Sequence, residues 1–298
     1  MEKIELFFEN WEFFREAALS GAISGALLGA LGIYILLGRI VFLSAALAQT
    51  SSVGVALAIW LTALLGFSHE NTPFLLDPVI FSMIFTIGIL ALISKGLRHT
   101  KSPDAALAAL YLCGAAGTIL IGTQIIHEIQ DIQQLLTGNA VLVEHSDFML
   151  LIIISILILG VFGYAHRGFE ASTFWPDNSR VAGFPVTAFN LIKYAAIAIA
   201  IAITTRMMGA LPVFALTCLP AMAVRKAPNL RTMFYLAMIV GSFVGFAGYV
   251  IAFAADFPVG PTQAITALIC VLLSLTISGI IGLIQKLRSK IRPESIAS

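Results

Sequence analysis

Apolar side chains dominate this chain in long unbroken runs, and the polar positions fall mostly between them. Runs near 17–38, 45–67, 78–96, 105–126, 148–165, 190–205, 208–224, 232–254 and 263–285 approach or reach the roughly 17–25 residues that a helix needs to cross a hydrocarbon core about 30 Å thick. Backbone groups in lipid have no water to bond, so spans of this length and apolarity predict helices rather than the short alternating strands of a barrel. The pattern predicts an all-α, polytopic transmembrane bundle of eight or nine spans. The doubtful segment is the seventh, which is short and contains Pro212 and Pro220. If residues 190–224 form one span and a half-helix, the count is eight. One transmembrane domain over 1–298 accounts for the whole chain, with an interfacial aromatic and acidic helix at 1–16, a cytoplasmic loop at 220–233 and a cytoplasmic tail at 286–298.

Composition agrees: 59% of the 298 residues are hydrophobic and 11% charged, at a mean hydropathy of +0.97, against about 25% charged in an ordinary soluble domain. A net charge of +1 argues for no nucleic-acid partner. The placement of charge says more. With the N-terminus outside, every Lys and Arg except Lys3, Arg15 and Arg206 falls on the cytoplasmic side, and the opposite loops hold acids and histidines. The N-terminal segment has acids where a signal peptide needs positive charge and is expected to stay attached. Cys113, Cys218 and Cys270 lie in apolar segments without a C-x-x-C pair and read as small hydrophobes. Gly21, Gly25 and Gly29, and again Gly241 and Gly245, recur every fourth residue, a spacing that tightens helix contacts.

Candidate chemistry is sparse. No G-x-x-x-x-G-K-[ST] phosphate loop occurs, so ATP hydrolysis would belong to another polypeptide, and no cofactor of the chain itself is expected. The densest charged cluster is "HEIQD", where His127, Glu128 and Asp131 lie within about one helical turn. It reads as a solvated loop face, as an outer vestibule that attracts cations, or distantly as a membrane metallopeptidase lacking the second histidine of H-E-x-x-H. Residues 207–233 are more specific: Pro220 and Pro228 bracket a basic stretch, and two prolines predict a short helix along the cytoplasmic surface.

Five segments in order resemble the membrane permeases of bacterial ABC importers for zinc, manganese and iron, type II importers related in fold to the vitamin B12 and siderophore permeases. They are "GALLGALGIYILLGRIVFLSAALAQTSSVGVAL", "LLTGNAVLV", "WPDNSRVAGFPV", "MGALPVFALTCLPAMAVRK" and "DFPVGPTQAI". The resemblance covers roughly 17–285. It implies a bacterial inner-membrane permease, paired with a second copy or a related chain, with ABC ATPase subunits docked below and an extracytoplasmic solute-binding protein above. It implies a translocation path past Ser44, Ala45, Gln49 and Ser52. It also implies ATPase docking through Pro220, Arg225, Lys226, Pro228 and Arg231, and a second cytoplasmic loop marked by Asp177 and Gly183. Where the family's second span carries Asp and His one turn apart, this chain has Ala45 and Gln49. Neutral oxygens bind a transition metal more weakly than carboxylate plus imidazole, so the implied cargo is a divalent transition metal or, alternatively, a metal chelate or other small solute.

Overall fold

Each predicted apolar run becomes a helix. The computed structural model describes residues 7, 9–67, 73–97, 103–124 and 143–291, and no strand occurs among them. The helices are α1 (Trp11–Leu37), α2 (Val41–Leu64), α3 (Pro78–Leu97), α4 (Pro103–Gly122), α5 (His145–Tyr164), the short α6 (His166–Phe174) and α7 (Pro176–Val181), then α8 (Val186–Met208), α9 (Ala210–Ala223), α10 (Leu230–Ala255) and α11 (Val259–Ile291). Seven of the described helices are long and apolar enough to cross a membrane, and α3 and α9 are shorter apolar helices. With 14 residues, α9 is about 21 Å long at 1.5 Å per residue and falls short of the full hydrocarbon thickness. The second of the two sequence alternatives therefore fits: a full span followed by a half-helix.

The break between α8 and α9 has a local cause. Gly209 takes φ +86 and ψ 162, a backbone region open to glycine and strained for any residue with a Cβ. Pro212 then sits in the first turn of α9, where no intrahelical donor is needed.

Three boundaries differ from expectation. Residues 11–16 are the first turns of α1, not part of a separate interfacial helix. Residues 286–291 continue α11 rather than opening a tail. No short helix forms between Pro220 and Pro228. Pro220 is buried inside α9, and residues 224–229 are turns and bends. At the end of α9, the Ser274 hydroxyl of α11 donates to the Ala223 carbonyl, one of the helix's terminal acceptors. With α9 prolonged to Ala223, and Asn229 capping α10 by accepting the Thr232 N–H at 2.7 Å, too little chain remains for another helix.

Glycine sets the closest packing. On antiparallel α1 and α10, Gly25 meets Gly241 so tightly that a Cβ on either would overlap the other's carbonyl oxygen, and Gly21 faces Gly245 one turn away. Gln263 of α11 closes this crossing, its amide donating to the Gly245 carbonyl at 3.0 Å. Further along α1, Gly32 lies against the Thr217 carbonyl of α9. At the start of α1, Phe7, Phe14 and Phe253 form an aromatic cluster with ring centroids 4.7–6.0 Å apart.

Candidate functional site

The site centres on α2, which four helices enclose. Gly114 of α4 lies on the Gln49 backbone, where an added Cβ would sit 2.8 Å from the Gln49 carbonyl carbon. A Cβ on Gly54 would meet the Ser82 Cα of α3 at 2.9 Å. The Ser51 hydroxyl donates to the Ala202 carbonyl of α8 at 3.2 Å. Ser44 lies 3.6 Å from the Cys218 sulfur of α9.

The expected path residues separate by how their polar atoms are used. Ser44 and Ser52 are fully buried and donate within α2, to Val41 at 2.7 Å and Ala48 at 3.2 Å. Thr50 likewise donates to Ala46 at 2.8 Å. A hydroxyl bonded to its own helix loses its polarity to the backbone and presents little to a solute. Ala45 is buried and supplies no donor or ligand. Gln49 is different: it is 9% exposed, and its Oε1 is buried with no hydrogen-bond partner among the described residues. A buried amide oxygen in that condition costs free energy, and a polar solute passing α2 would relieve the cost. Among the described residues no group of three His, Cys, Asp or Glu is placed to hold a metal.

Of the expected docking residues, Arg225, Lys226, Pro228 and Arg231 are exposed in or beside the 224–229 turn, whereas Pro220 is buried among helices and offers no surface. Asp177 and Gly183 bound α7: Asp177 lies in its first turn and pairs with Arg180 at 3.2 Å, and Gly183 closes it with φ +76. Their six-residue separation is the length of that helix. Beside it, Trp175 is 56% and Val181 91% exposed, an apolar surface next to the Asp177–Arg180 pair. His127, Glu128 and Asp131 lie outside the described residues.

Two features were missed from the sequence. Arg206, one of the charges that broke the positive-inside pattern, lies 3.4 Å from Asp147 and 3.9 Å from Asp77. Asp77 also accepts the Val79 and Ile80 N–H groups at 2.9 and 3.2 Å, so the starts of α3 and α5 are tied to the end of α8. The signal available was that outlying charge itself. The second is Lys193, counted among the cytoplasmic-side charges but buried within α8, its ammonium 3.1 Å from the Thr173 hydroxyl of α6.

A bundle of long apolar helices, a glycine-broken half-helix and an enclosed apolar helix carrying buried polar side chains are the build of a polytopic membrane permease. The chain belongs to the ABC 3 transport family, matched over residues 10–278, and is a multi-pass inner-membrane protein. It is 26% identical over 263 residues, 86% of each chain, to a probable metal transport system membrane protein of Chlamydia pneumoniae. It is 23% identical to the high-affinity zinc uptake system membrane protein ZnuB of Haemophilus influenzae, over 89% of this chain and 97% of that one. Its fold matches that of PsaBC from Streptococcus pneumoniae, solved with a Fab, at a TM-score of 0.76 and 21% identity, covering 92% of this chain and 94% of that one.

Proposed function

We propose that this chain is the membrane-spanning subunit of an ATP-driven importer that carries a divalent transition metal, zinc, manganese or iron, into the cytoplasm. The observation that carries the reading is the family match over residues 10–278, with relatives named for metal transport and zinc uptake. In this reading two copies of the chain enclose the path, an extracytoplasmic binding protein delivers the cation, and separate ATPase subunits provide the drive. Gln49 offers the solute a neutral oxygen as it passes α2, strong enough to replace part of a hydration shell and weak enough to release.

The docking surface for the ATPase is α6–α7 together with Arg225, Lys226 and Arg231. A short helix seated in a partner's cleft moves with that partner, which converts closure of paired ATPases into displacement of spans. Its placement on α7 replaces the helix expected between Pro220 and Pro228, a segment that folds as a turn.

A second reading keeps the architecture and changes the cargo to a metal chelate or another small solute; it is favoured by Ala45, which supplies no ligand, and by the uncharged Gln49. Peptidase chemistry at His127 and Glu128 is set aside, since the matched family is one of transport. The test is accumulation of zinc, manganese and iron in cells lacking or overproducing the complex. A rise of one metal on overproduction supports import of that metal, and unchanged levels of all three overturn the free-metal reading.

A further inference from the structure

The neighbours of α1 leave a gap along one of its faces. Gly21 and Gly25 hold α10 against one side of the helix through Gly245 and Gly241, and Glu16 holds His145 of α5 at 2.8 Å on the other. At about 100° per residue, the face between those contacts carries Glu12, Arg15, Leu19, Ala22 and Ala26. Alanine is too small to fill the space between α5 and α10, and a groove of about 870 Å³ opens there. Ala22 and Ala26 form its floor, Ile156 of α5 one wall, and Ile239 and Phe243 of α10 the other. All three helices are long and apolar enough to cross the membrane, so the groove opens onto hydrocarbon.

The same face of α1 ends in charge. Glu12, Arg15 and Leu19 are exposed, and Arg15 is one of the charges that broke the positive-inside pattern. Arg206, another, is answered by Asp147 and Asp77, whereas neither Arg15 nor Glu12 has an ion pair among the described residues. Eleven residues separate Arg15 from Ala26, about 16 Å at 1.5 Å each and close to half of a hydrocarbon core about 30 Å thick. The charged rim and the apolar groove together reach one leaflet deep.

We propose that this groove binds one aminophospholipid from the leaflet around the N-terminal end of α1. Its acyl chain lies over Ala22 and Ala26, its phosphate meets the Arg15 guanidinium, and its ammonium meets the Glu12 carboxylate. The rim favours lipid over a second copy of the chain, because the exposed faces of the described spans are apolar and offer Arg15 no counter-charge. Once filled, the groove joins α5 to the α1–α10 frame.

Native mass spectrometry tests this on the full-length chain, purified in detergent and titrated with phosphatidylethanolamine or phosphatidylglycerol. A single phosphatidylethanolamine is expected to stay bound to each chain. A26F places a ring on the groove floor and is expected to cut retention of both lipids about tenfold or more. R15Q weakens both about fivefold, the effect of one basic side chain at a lipid surface. E12Q weakens phosphatidylethanolamine alone, by up to about fivefold, since phosphatidylglycerol has no ammonium. L272F, on the exposed face of α11, leaves retention unchanged. Unchanged retention in A26F or in R15Q, or an equal loss in L272F, overturns the proposal, and an equal response of the two lipids to E12Q overturns the placement of the ammonium. If A26F abolishes pairing of the chain while lipid stays bound, the groove belongs to a second copy and the proposal fails. Should A26F not fold, the exposed R15Q and E12Q decide by the same criteria.

Discussion

The α1–α10 crossing and the surroundings of α2 lie in one bundle and are built on opposite terms. At the crossing, backbone meets backbone. Gly25 and Gly241 leave no room for a single carbon, and Gly21 and Gly245 repeat the contact a turn away. Around α2, Gly114 and Gly54 also bring backbones close, but polar side chains lie among the contacts, and the Gln49 oxygen has no hydrogen-bond partner among the described residues. The crossing packs backbone on backbone, whereas α2 meets its neighbours partly through hydroxyls. Where no side chain stands between helices there is nothing to rearrange, so the crossing suits a fixed frame. An interface of hydroxyls that can exchange a backbone carbonyl for another acceptor has alternatives, as a path that opens and closes requires.

Replacing Gly25 with Leu attacks the frame and has the largest expected effect. Overpacking an ordinary core costs roughly 1–3 kcal/mol, and here backbone must separate from backbone. We expect a loss above about 3 kcal/mol and little folded, monodisperse protein in detergent, read by size-exclusion yield and thermal unfolding; a normal yield would show that the crossing is more pliable than its geometry. Gln49→Leu tests the other side. Removing an unpartnered buried oxygen costs the fold nothing in lost bonds, so the unfolding temperature is expected to hold while uptake of the transported metal falls about tenfold or more. A variant that loses stability and transport together would make Gln49 a packing residue. The smallest effect is that of Ser51→Ala, which removes one interhelical hydrogen bond worth on average about 0.6 kcal/mol in membrane proteins. Measured by chemical unfolding in detergent, a much larger loss would mean that α2 and α8 are joined as rigidly as the glycine crossing.

The glycine spacing was visible in the chain, and its consequence followed, because residues four apart share a helix face whatever lies opposite. The polar stretch at 49–52 was equally visible, and its meaning was not. Thr50, Ser51, Ser52 and Gln49 look alike as letters in an apolar run, yet Thr50 and Ser52 bond to their own helix, Ser51 to α8, and the Gln49 oxygen to no group among the described residues. Pro220 misled for a related reason: the rule that proline ends a helix is weaker among packed apolar helices, and here Pro220 is buried within α9, which runs on to Ala223.

By itself the sequence determined the class, the apolar helices, the division of charge between two faces and the likeness to metal-importer permeases. Those are sums over local stretches, since burial in lipid follows hydropathy and length alone. Only the tertiary structure decided that α9 is a half-helix hung from Gly209, that Arg206 is held between two carboxylates and that Lys193 is buried beneath α6. Each depends on whether a polar group finds a partner, and that partner comes from a helix tens of residues away.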